Sequence, residues 1–435
     1  MNRMRRRALV AGAAAAMVAA ALLLGGLTAR GGGVGPAPQD GTARLAAGFA
    51  AGDTQALVVQ LQTELRAQPD NVRGLDLLGL AYQQRARETG DPTYYVKSDG
   101  ILHRALSLAP HDLDATSGLA SLALSRHRFG LALRLARRSL AISPTTARNY
   151  GAAGDALLEL GRYREAFAHF DTMARLQPGV SSYARIAYAR ELRGNLDGAR
   201  HALLLARDAA ADEQEPYAWT ETQLGKLELG RGRLGTAATH LRSALRTFPG
   251  YVYALDAMAQ VDVARGRLHE ATAYELRAVD TIPLPQFVGL LGDLEHATGR
   301  EHAAQIQYAT EDGIRRLLNA NGVKTDLETA LFDIDHGLRL HASLALARRA
   351  QRERPSIDGD DVLAWALYRN GRCGDALHYS KLALRLGTKD SAKLFHRAAI
   401  EQCLGHDPRP WAREAMSLNP HFSVLWTSTL RRLAS

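Results

Sequence analysis

Apolar residues recur along most of the chain at i, i+3, i+4 and i+7 spacing, the pattern of amphipathic helices. These helical stretches come in pairs, and the pairs repeat with a fixed period. Pro110, Pro144 and Pro178 stand 34 residues apart, and each follows the second stretch of a pair. Because proline cannot continue a helix, it marks the start of the next pair. No strand-like alternation of useful length appears, so the pattern predicts an all-α array of stacked helix pairs.

The repeat register follows from placing these prolines at position 32 of a 34-residue unit. Position 20 is then alanine in seven units, at Ala132, Ala166, Ala199, Ala237, Ala271, Ala304 and Ala376. Glycine recurs at position 15, at Gly161, Gly194, Gly232, Gly266 and Gly299. Such a glycine ends the first helix in a turn that other residues adopt only at a cost. Small residues at positions 8 and 20 let the paired helices approach closely. The register indicates about ten units.

Matching motif residues are Leu78, Gly79 and Tyr82 in the first unit and Ala166, Phe170 and Pro178 in the third. They resemble the tetratricopeptide repeat, whose pattern is W-x2-L-G-x2-Y, then A-x3-F, then P. The resemblance covers about residues 72–420, and its motifs are specific as a set although weak singly. It implies a right-handed superhelical solenoid whose concave face binds proteins or peptides. The layout is also similar to exported and membrane-anchored bacterial members of that family.

The register divides the repeat region into two parts and fails in three places. Residues 45–317 carry the N-terminal repeats, and residues 318–435 carry irregular and C-terminal repeats. An insertion at 88–98 lengthens the first unit and either contacts a partner or covers the edge of the first helix pair. The other irregular segments are 209–216 and 318–338. We expect any function peculiar to this chain at these three breaks.

The first 30 residues predict a targeting segment. Four arginines precede residues 8–29, which carry no charge and are long enough to span a bilayer at about 20 residues per crossing. The segment is either an uncleaved single-pass membrane anchor or a cleaved signal peptide. A flexible Gly- and Pro-rich linker follows at 31–44. In either case the positive-inside rule sends the repeats out of the cytoplasm, tethered to the cell membrane or secreted.

The net charge of +9 is reduced to about +4 once the five arginines of the first 30 residues are set aside. The remaining basic residues are spread among acidic ones, whereas nucleic-acid-binding proteins concentrate them on one face. We therefore expect no nucleic-acid partner. The chain contains no G-x-S-x-G, G-x-x-x-x-G-K-[ST], H-E-x-x-H or C-x-x-C motif. This composition favours a protein that is not an enzyme and uses no cofactor.

The family resemblance implies a binding groove lined by positions 2, 5, 9, 12 and 13 of each first helix. Here these positions include Asp155, Glu159, Tyr188, Trp219, Lys226, Tyr253, Asp256, Gln260, Asp293, Trp365, Tyr368 and Arg369. Aromatic rings interleaved with polar groups suit an extended peptide. Alternatively, several of these rings pack between neighbouring helices. Position 5 is never lysine, which excludes the carboxylate-clamp subclass of the family.

Two smaller constellations complete the candidates. Asp333, Asp335 and His336 have the side chains of a divalent-cation site, but they also suit the capped end of a helix. Cys373 and Cys403 form a disulfide in an exported protein, or remain two small buried thiols. The expected function is that of a scaffold binding a protein or peptide. The alternative function is accessory metal or small-ligand binding at the Asp333 cluster.

Overall fold

A computed structural model describes residues 53–210 and 213–435, and the regular structure of both stretches is helical. The predicted targeting segment at 1–30 and the linker at 31–44 lie outside these residues. The helices are α1 (Thr54–Ala67), α2 (Val72–Thr89), α3 (Thr93–Leu108), α4 (Leu113–Ser125), α5 (Phe129–Ile142), α6 (Ala147–Glu159), α7 (Tyr163–Leu176), α8 (Val180–Leu192), α9 (Leu196–Ala209), α10 (Gln214–Gly230), α11 (Leu234–Thr247), α12 (Val252–Ala264), α13 (Leu268–Thr281), α14 (Pro285–Ala297), α15 (Glu301–Ala320), α16 (Asp326–Asp335), α17 (Leu340–Glu353), α18 (Ile357–Arg369), α19 (Cys373–Ala383), α20 (Ser391–Cys403), α21 (Arg409–Leu418) and α22 (Thr427–Ala434).

Helices α2 to α21 form ten pairs, in which each even-numbered helix packs on the odd-numbered helix after it. Even-numbered helices also pack on one another from α2 to α12 and from α16 to α22, so they form the inner layer of the array. Helix α1 packs on α2 at one end, and α22 packs on α21 at the other. This arrangement confirms the predicted all-α solenoid of about ten units.

Small residues at positions 8, 15 and 20 of the register allow the paired helices to pack and turn closely. All seven alanines at position 20 have no exposed surface. At position 8 of the third unit, a Cβ on Gly154 would lie 2.4 Å from the ring of Phe170, which a real contact never allows. The position-15 glycine Gly161 has a φ of 69°, in the left-handed region that favours glycine. These positions set how closely the two helices of a unit approach.

The solenoid coils tightly enough that successive superhelical turns touch. Hydrogen bonds join five pairs of residues that stand 194 to 197 positions apart, and we call the contacts between successive superhelical turns the inter-turn seam. The five pairs are Arg126–Asn321 at 2.8 Å, His127–Lys324 at 2.7 Å, Tyr163–Ile357 at 2.6 Å, Leu192–Thr388 at 2.5 Å and Glu159–Arg354. Since a unit holds about 34 residues, one superhelical turn contains about six units.

Arg354 is the centre of this seam. The residue is 6% exposed, and its guanidinium donates to Glu159 of the earlier superhelical turn and, at 3.0 Å, to Glu328. Burial raises the pKa of Glu159, and Arg354 opposes that rise. His127 lies 3.8 Å from Glu328, and burial lowers its pKa. The two superhelical turns therefore meet through a largely buried polar network centred on the ion pairs of Arg354.

Two of the irregular segments supply much of this seam. The insertion at 88–98 extends α2 to 18 residues and α3 to 16, against 13 and 14 in the next unit. Tyr95 of the insertion packs against an apolar cluster from α14, α15 and the loop after α15. Helix α15 runs for 20 residues, and Asn321 and Lys324 follow it directly. The breaks in the register thus bring distant units of the same chain into contact.

Candidate functional site

A cleft of about 360 Å³ opens on the inner faces of α10, α12 and α14. The opposite wall is formed by residues 419–424, the connection that leads from α21 to α22. Six of the twelve predicted groove residues line this cleft. They are Trp219, Lys226, Tyr253, Asp256, Gln260 and Asp293. The structure brings them together because they occupy the same face of three successive first helices.

An ion pair forms the polar centre of the cleft. Lys226 Nζ on α10 lies 3.6 Å from Asp256 Oδ2 on α12. One helical turn later, Gln260 Nε2 donates to both carboxylate oxygens of Asp256 at 3.0 Å. The Asp256 side chain is 6% exposed and that of Lys226 is 38% exposed. The carboxylate is thus held in place, while the ammonium group can still reach a ligand.

Aromatic rings form the apolar wall of the same cleft. Trp219 and Phe287 are almost fully buried, and Tyr253 is half-buried with its ring centroid 6.0 Å from that of Phe287. Burial raises the pKa of Tyr253, so its hydroxyl stays protonated and can donate a hydrogen bond. Phe422 contributes a ring from the opposite wall. Flat rings around a fixed ion pair suit a peptide whose backbone and side chains both need partners.

A second carboxyl group stands near the polar centre, in the next helix of the same unit. Glu275 on α13 has no exposed surface, and neither carboxyl oxygen has a hydrogen-bond partner in the described chain. Burial, and then the nearby charge of Asp256, holds the pKa of Glu275 well above its ordinary value, although Lys226 opposes the shift. Burial and the charge of Asp256 therefore favour the protonated, neutral form of Glu275 beside the Lys226–Asp256 pair. Without exposed surface, it acts on the cleft through that pair and does not meet a ligand.

Sequence reasoning missed Glu275 although the register held a signal for it. Glu275 occupies position 24, where the family pattern A-x3-F places an aromatic ring and the third unit has Phe170. A carboxyl group at a position reserved for core packing is an anomaly that the register exposes. The wall at residues 419–424 carried no comparable signal, because its place depends on how the superhelix closes.

Three predicted groove residues lie in the earlier units, away from the cleft. Asp155 is buried and accepts two hydrogen bonds from Arg185, at 2.9 and 2.7 Å. Glu159 belongs to the inter-turn seam. The pKa of Tyr188 is raised well above its ordinary value by burial and then by the carboxylate of Asp358, a residue of the later superhelical turn. These three side chains hold units together.

The other three predicted groove residues lie among the C-terminal units. They are Trp365, Tyr368 and Arg369. Trp365 is 1% exposed, stacks on Tyr368 at 4.8 Å and on His396 at 4.3 Å, and packs in the C-terminal core. Arg369 donates to the carbonyl of Ile334 at 2.7 Å. Trp365 thus follows the alternative in which an aromatic residue packs between helices.

The candidate metal ligands point into three separate networks. Asp333 accepts hydrogen bonds from Arg339, at 2.8 Å, and from a serine hydroxyl. Asp335 accepts hydrogen bonds from the indole N–H groups of Trp365 and Trp426, at 2.8 and 3.0 Å. His336 Nε2 lies 2.7 Å from a carboxylate oxygen of Asp293 on the cleft wall. In residues 53–210 and 213–435 no group of three or more His, Cys, Asp or Glu side chains is arranged to hold a metal ion. The metal hypothesis therefore has no support at these residues.

The hydrogen bonds and pKa shifts of His336 and Asp335 indicate a structural role for both side chains. Burial would lower the pKa of His336, but the hydrogen bond and charge of Asp293 outweigh it and leave the pKa raised. His336 therefore pairs with Asp293 and is committed to the wall of the cleft. Burial raises the pKa of Asp335 even though two indole groups donate to it.

Cys373 and Cys403 are joined by a disulfide, with their Cα atoms 6.2 Å apart. The bond connects the first residue of α19 to the last residue of α20, and so ties two successive units together.

No helix in the part of the chain that the structure describes is both long and apolar enough to cross a membrane.

No protein-family profile and no curated protein matches the chain. Solved structures resemble it in fold. The human IFIT1 dimer with m7Gppp-AAAA is 14% identical, over 79% of this chain and 80% of that chain, with a TM-score of 0.48. A tetratricopeptide repeat protein from Parabacteroides merdae is 15% identical over 55% of this chain and 91% of that chain, with a TM-score of 0.42. A thermophilic tetratricopeptide repeat protein from Thermus thermophilus is 22% identical over 44% and 96%, with a TM-score of 0.38.

The chain's own geometry decides its fold family. Seven of its ten helix pairs carry a buried alanine at position 20 and at least five carry a left-handed glycine at position 15, and first helices stack on one another from α2 to α12 and from α16 to α22. These are the structural marks of one repeat type, stacked along the chain. The fold of the chain is that of a tetratricopeptide-repeat solenoid.

Proposed function

We propose that this protein is a non-enzymatic scaffold that binds a protein or peptide in the cleft of α10, α12 and α14. One observation carries the proposal: polar and aromatic groove residues from three successive first helices converge on a single cleft. Lys226 and Asp256 offer both signs of charge, and Gln260 offers an amide, at the spacing of neighbouring helices. An extended peptide crossing these helices finds hydrogen-bond partners for its backbone and ring surface for its side chains.

We also propose that the repeats work outside the cytoplasm, either tethered to the membrane or released after signal cleavage. The uncharged segment at residues 8–29 supports this proposal. The disulfide between Cys373 and Cys403 supports it independently, because disulfides persist mainly in oxidising compartments.

The binding proposal is tested by selecting peptides from a displayed random library on the purified full chain. Selected peptides should bind the wild-type protein and lose at least ten-fold in affinity for Lys226→Glu, which reverses the charge that reaches into the cleft. Lys389→Glu is the matched control, because Lys389 is 45% exposed and pairs with Glu414 at 2.5 Å outside the cleft.

Both lysine side chains are partly exposed, so both variants should fold. Equal affinity of the selected peptides for Lys226→Glu and wild type would place their binding elsewhere and reject the cleft. Failure to select any peptide in repeated rounds would count against peptide binding altogether.

A further inference from the structure

The connection between α21 and α22 is a run of turns that forms one wall of the cleft. We call residues 419–426 the C-terminal strap. Val424 packs against the apolar cluster of α12 and α14 that includes Val263 and Leu290. His421, Phe422 and Ser423 line the same cleft as Lys226. The strap therefore covers groove residues that the proposed function assigns to a partner.

The strap also contacts the C-terminal units on the side that faces away from α12 and α14. The indole N–H of Trp426 donates to Asp335 Oδ1 at 3.0 Å. The Phe422 ring centroid lies 5.3 Å from that of Phe395 on α20. After the strap, Leu430 and Leu433 of α22 are buried in the C-terminal core. Helix α22 can thus hold the strap beside the cleft even when its middle residues leave.

The strap is held less firmly than the helix that follows it. Residues 421 to 426 are each half-buried, in contrast to the fully buried Leu430. Its hydrogen bonds close local turns: Asn419 Oδ1 accepts from the amide of His421 at 3.0 Å, and Ser423 Oγ accepts from the amide of Trp426 at 3.2 Å. Its contact with α12 and α14 is made by side-chain packing. Such a segment can be displaced without leaving buried backbone groups unpaired.

We propose that the strap is an internal ligand of the cleft, and that a partner peptide binds by taking the place of its middle residues. The proposal rests on the proposed function, because it concerns the same cleft. A segment tethered beside its site acts at an effective concentration near the millimolar range. The strap therefore excludes weak competitors and yields to a partner that fills the positions of Phe422 and Val424 better.

The test uses the full chain and a synthetic peptide of its own residues 418–427, labelled for fluorescence anisotropy. Val424→Ser removes a half-buried apolar contact and should weaken the strap roughly ten-fold, at about 0.8 kcal/mol for each buried methylene. The peptide should then bind Val424→Ser about ten-fold more tightly than wild type. Val96→Ser is the matched control, since Val96 is 49% exposed on α3, and it should bind as wild type does.

A second variant guards against misfolding of the first. Trp426→Phe keeps a ring in place but removes the indole donor, while Trp365 continues to donate to Asp335. It should also bind the peptide more tightly than wild type. In wild type, saturating peptide should speed amide hydrogen exchange at residues 421–426, because the strap leaves the cleft.

Two results would overturn the strap proposal. Equal peptide affinity for wild type, Val424→Ser and Trp426→Phe would show that the strap does not compete, and would leave binding in the cleft intact. Absence of peptide binding to every variant would show that the strap sequence is not a ligand. The library selection on wild type decides the proposed function separately, so the two failures are distinguishable.

Discussion

Replacing Arg354 by alanine tests whether the inter-turn seam stabilises the solenoid. Arg354 is the buried cation between two superhelical turns, bonded to Glu159 and, at 3.0 Å, to Glu328. Its guanidinium also lies 5.4 Å from the ring centroid of Phe129. Alanine at this position leaves two carboxylates in a buried site without their cation.

The magnitude follows from the burial of the three side chains. Those of Arg354, Glu159 and Glu328 are 7%, 13% and 23% exposed. Breaking a buried pair by removing one partner costs about 3–5 kcal/mol, because the other charge stays desolvated. Arg349→Ala is the matched control on the neighbouring turn of α17. Arg349 is 48% exposed and pairs with Asp326, and an exposed pair of this kind contributes about 0–1 kcal/mol.

The assay is urea unfolding of full-length wild type and both variants, followed by circular dichroism. We expect Arg354→Ala to lower the midpoint by roughly 1 M at an m value near 3 kcal/mol/M, and Arg349→Ala to leave it almost unchanged. Adding Glu159→Ala to Arg354→Ala should cost less than the sum of the single changes, because it removes one of the orphaned charges. Equal midpoints for Arg354→Ala and Arg349→Ala would refute the stabilising role of the seam.

Three further predictions concern separate parts of the fold. Gly194→Ala should lower the melting temperature more than Gly371→Ala. Both residues have φ near 70°, but only a Cβ on Gly194 would meet a carbonyl oxygen of the next superhelical turn, at 2.4 Å. Equal decreases in melting temperature would contradict this close approach. Burial and nearby carboxylates raise the pKa of Asp76 to about 8, so the folded state binds its proton more tightly than the unfolded state. Stability should therefore fall by up to about 1.4 kcal/mol per pH unit between roughly pH 4 and 8, and Asp76→Asn should flatten that slope in melts across the range. Replacing Cys373 and Cys403 by serine should cost about 3–4 kcal/mol for a sequence separation of 30 residues, and should make urea unfolding insensitive to reductant; a midpoint unchanged by both treatments would count against the bond.

Local features of the fold could be predicted from the sequence because they recur in successive repeat units. Alanine at position 20 and glycine at position 15 recur wherever two helices must approach or turn, so the register predicts the helix pairs. The residues of the cleft could be predicted for a related reason. Trp219, Tyr253 and Asp256 occupy equivalent faces of successive first helices, and neighbouring units have a fixed geometry.

Features that depend on the superhelix as a whole could not be predicted. A small rotation per unit accumulates over about six units before Arg126 meets Asn321, and the sequence does not specify that rotation. Trp365 was assigned to the groove because its register position is right, but Trp426 and His396 from later units cover it. The strap escaped prediction for the same reason, since its partners are contributed by units far away in sequence.

Two of the irregular segments have a structural role in the superhelix. The insertion at 88–98 and the break at 318–338 were predicted sites of particular function, and they supply contacts of the inter-turn seam. A seam between superhelical turns fixes the curvature of the units between them, and α10 to α14 lie within that span. The cleft is therefore preformed, and a partner loses less free energy to ordering than it would on an open solenoid.

This coupling between the seam and the cleft has a measurable consequence. Arg354 does not line the cleft, yet Arg354→Ala should weaken binding of a library-selected peptide, because a loosened seam lets α10, α12 and α14 change their spacing. Arg349→Ala should leave that affinity as it is in wild type. If Arg354→Ala lowers the unfolding midpoint but binds the peptide as wild type does, then the three helices hold the cleft by themselves, and the seam contributes stability alone.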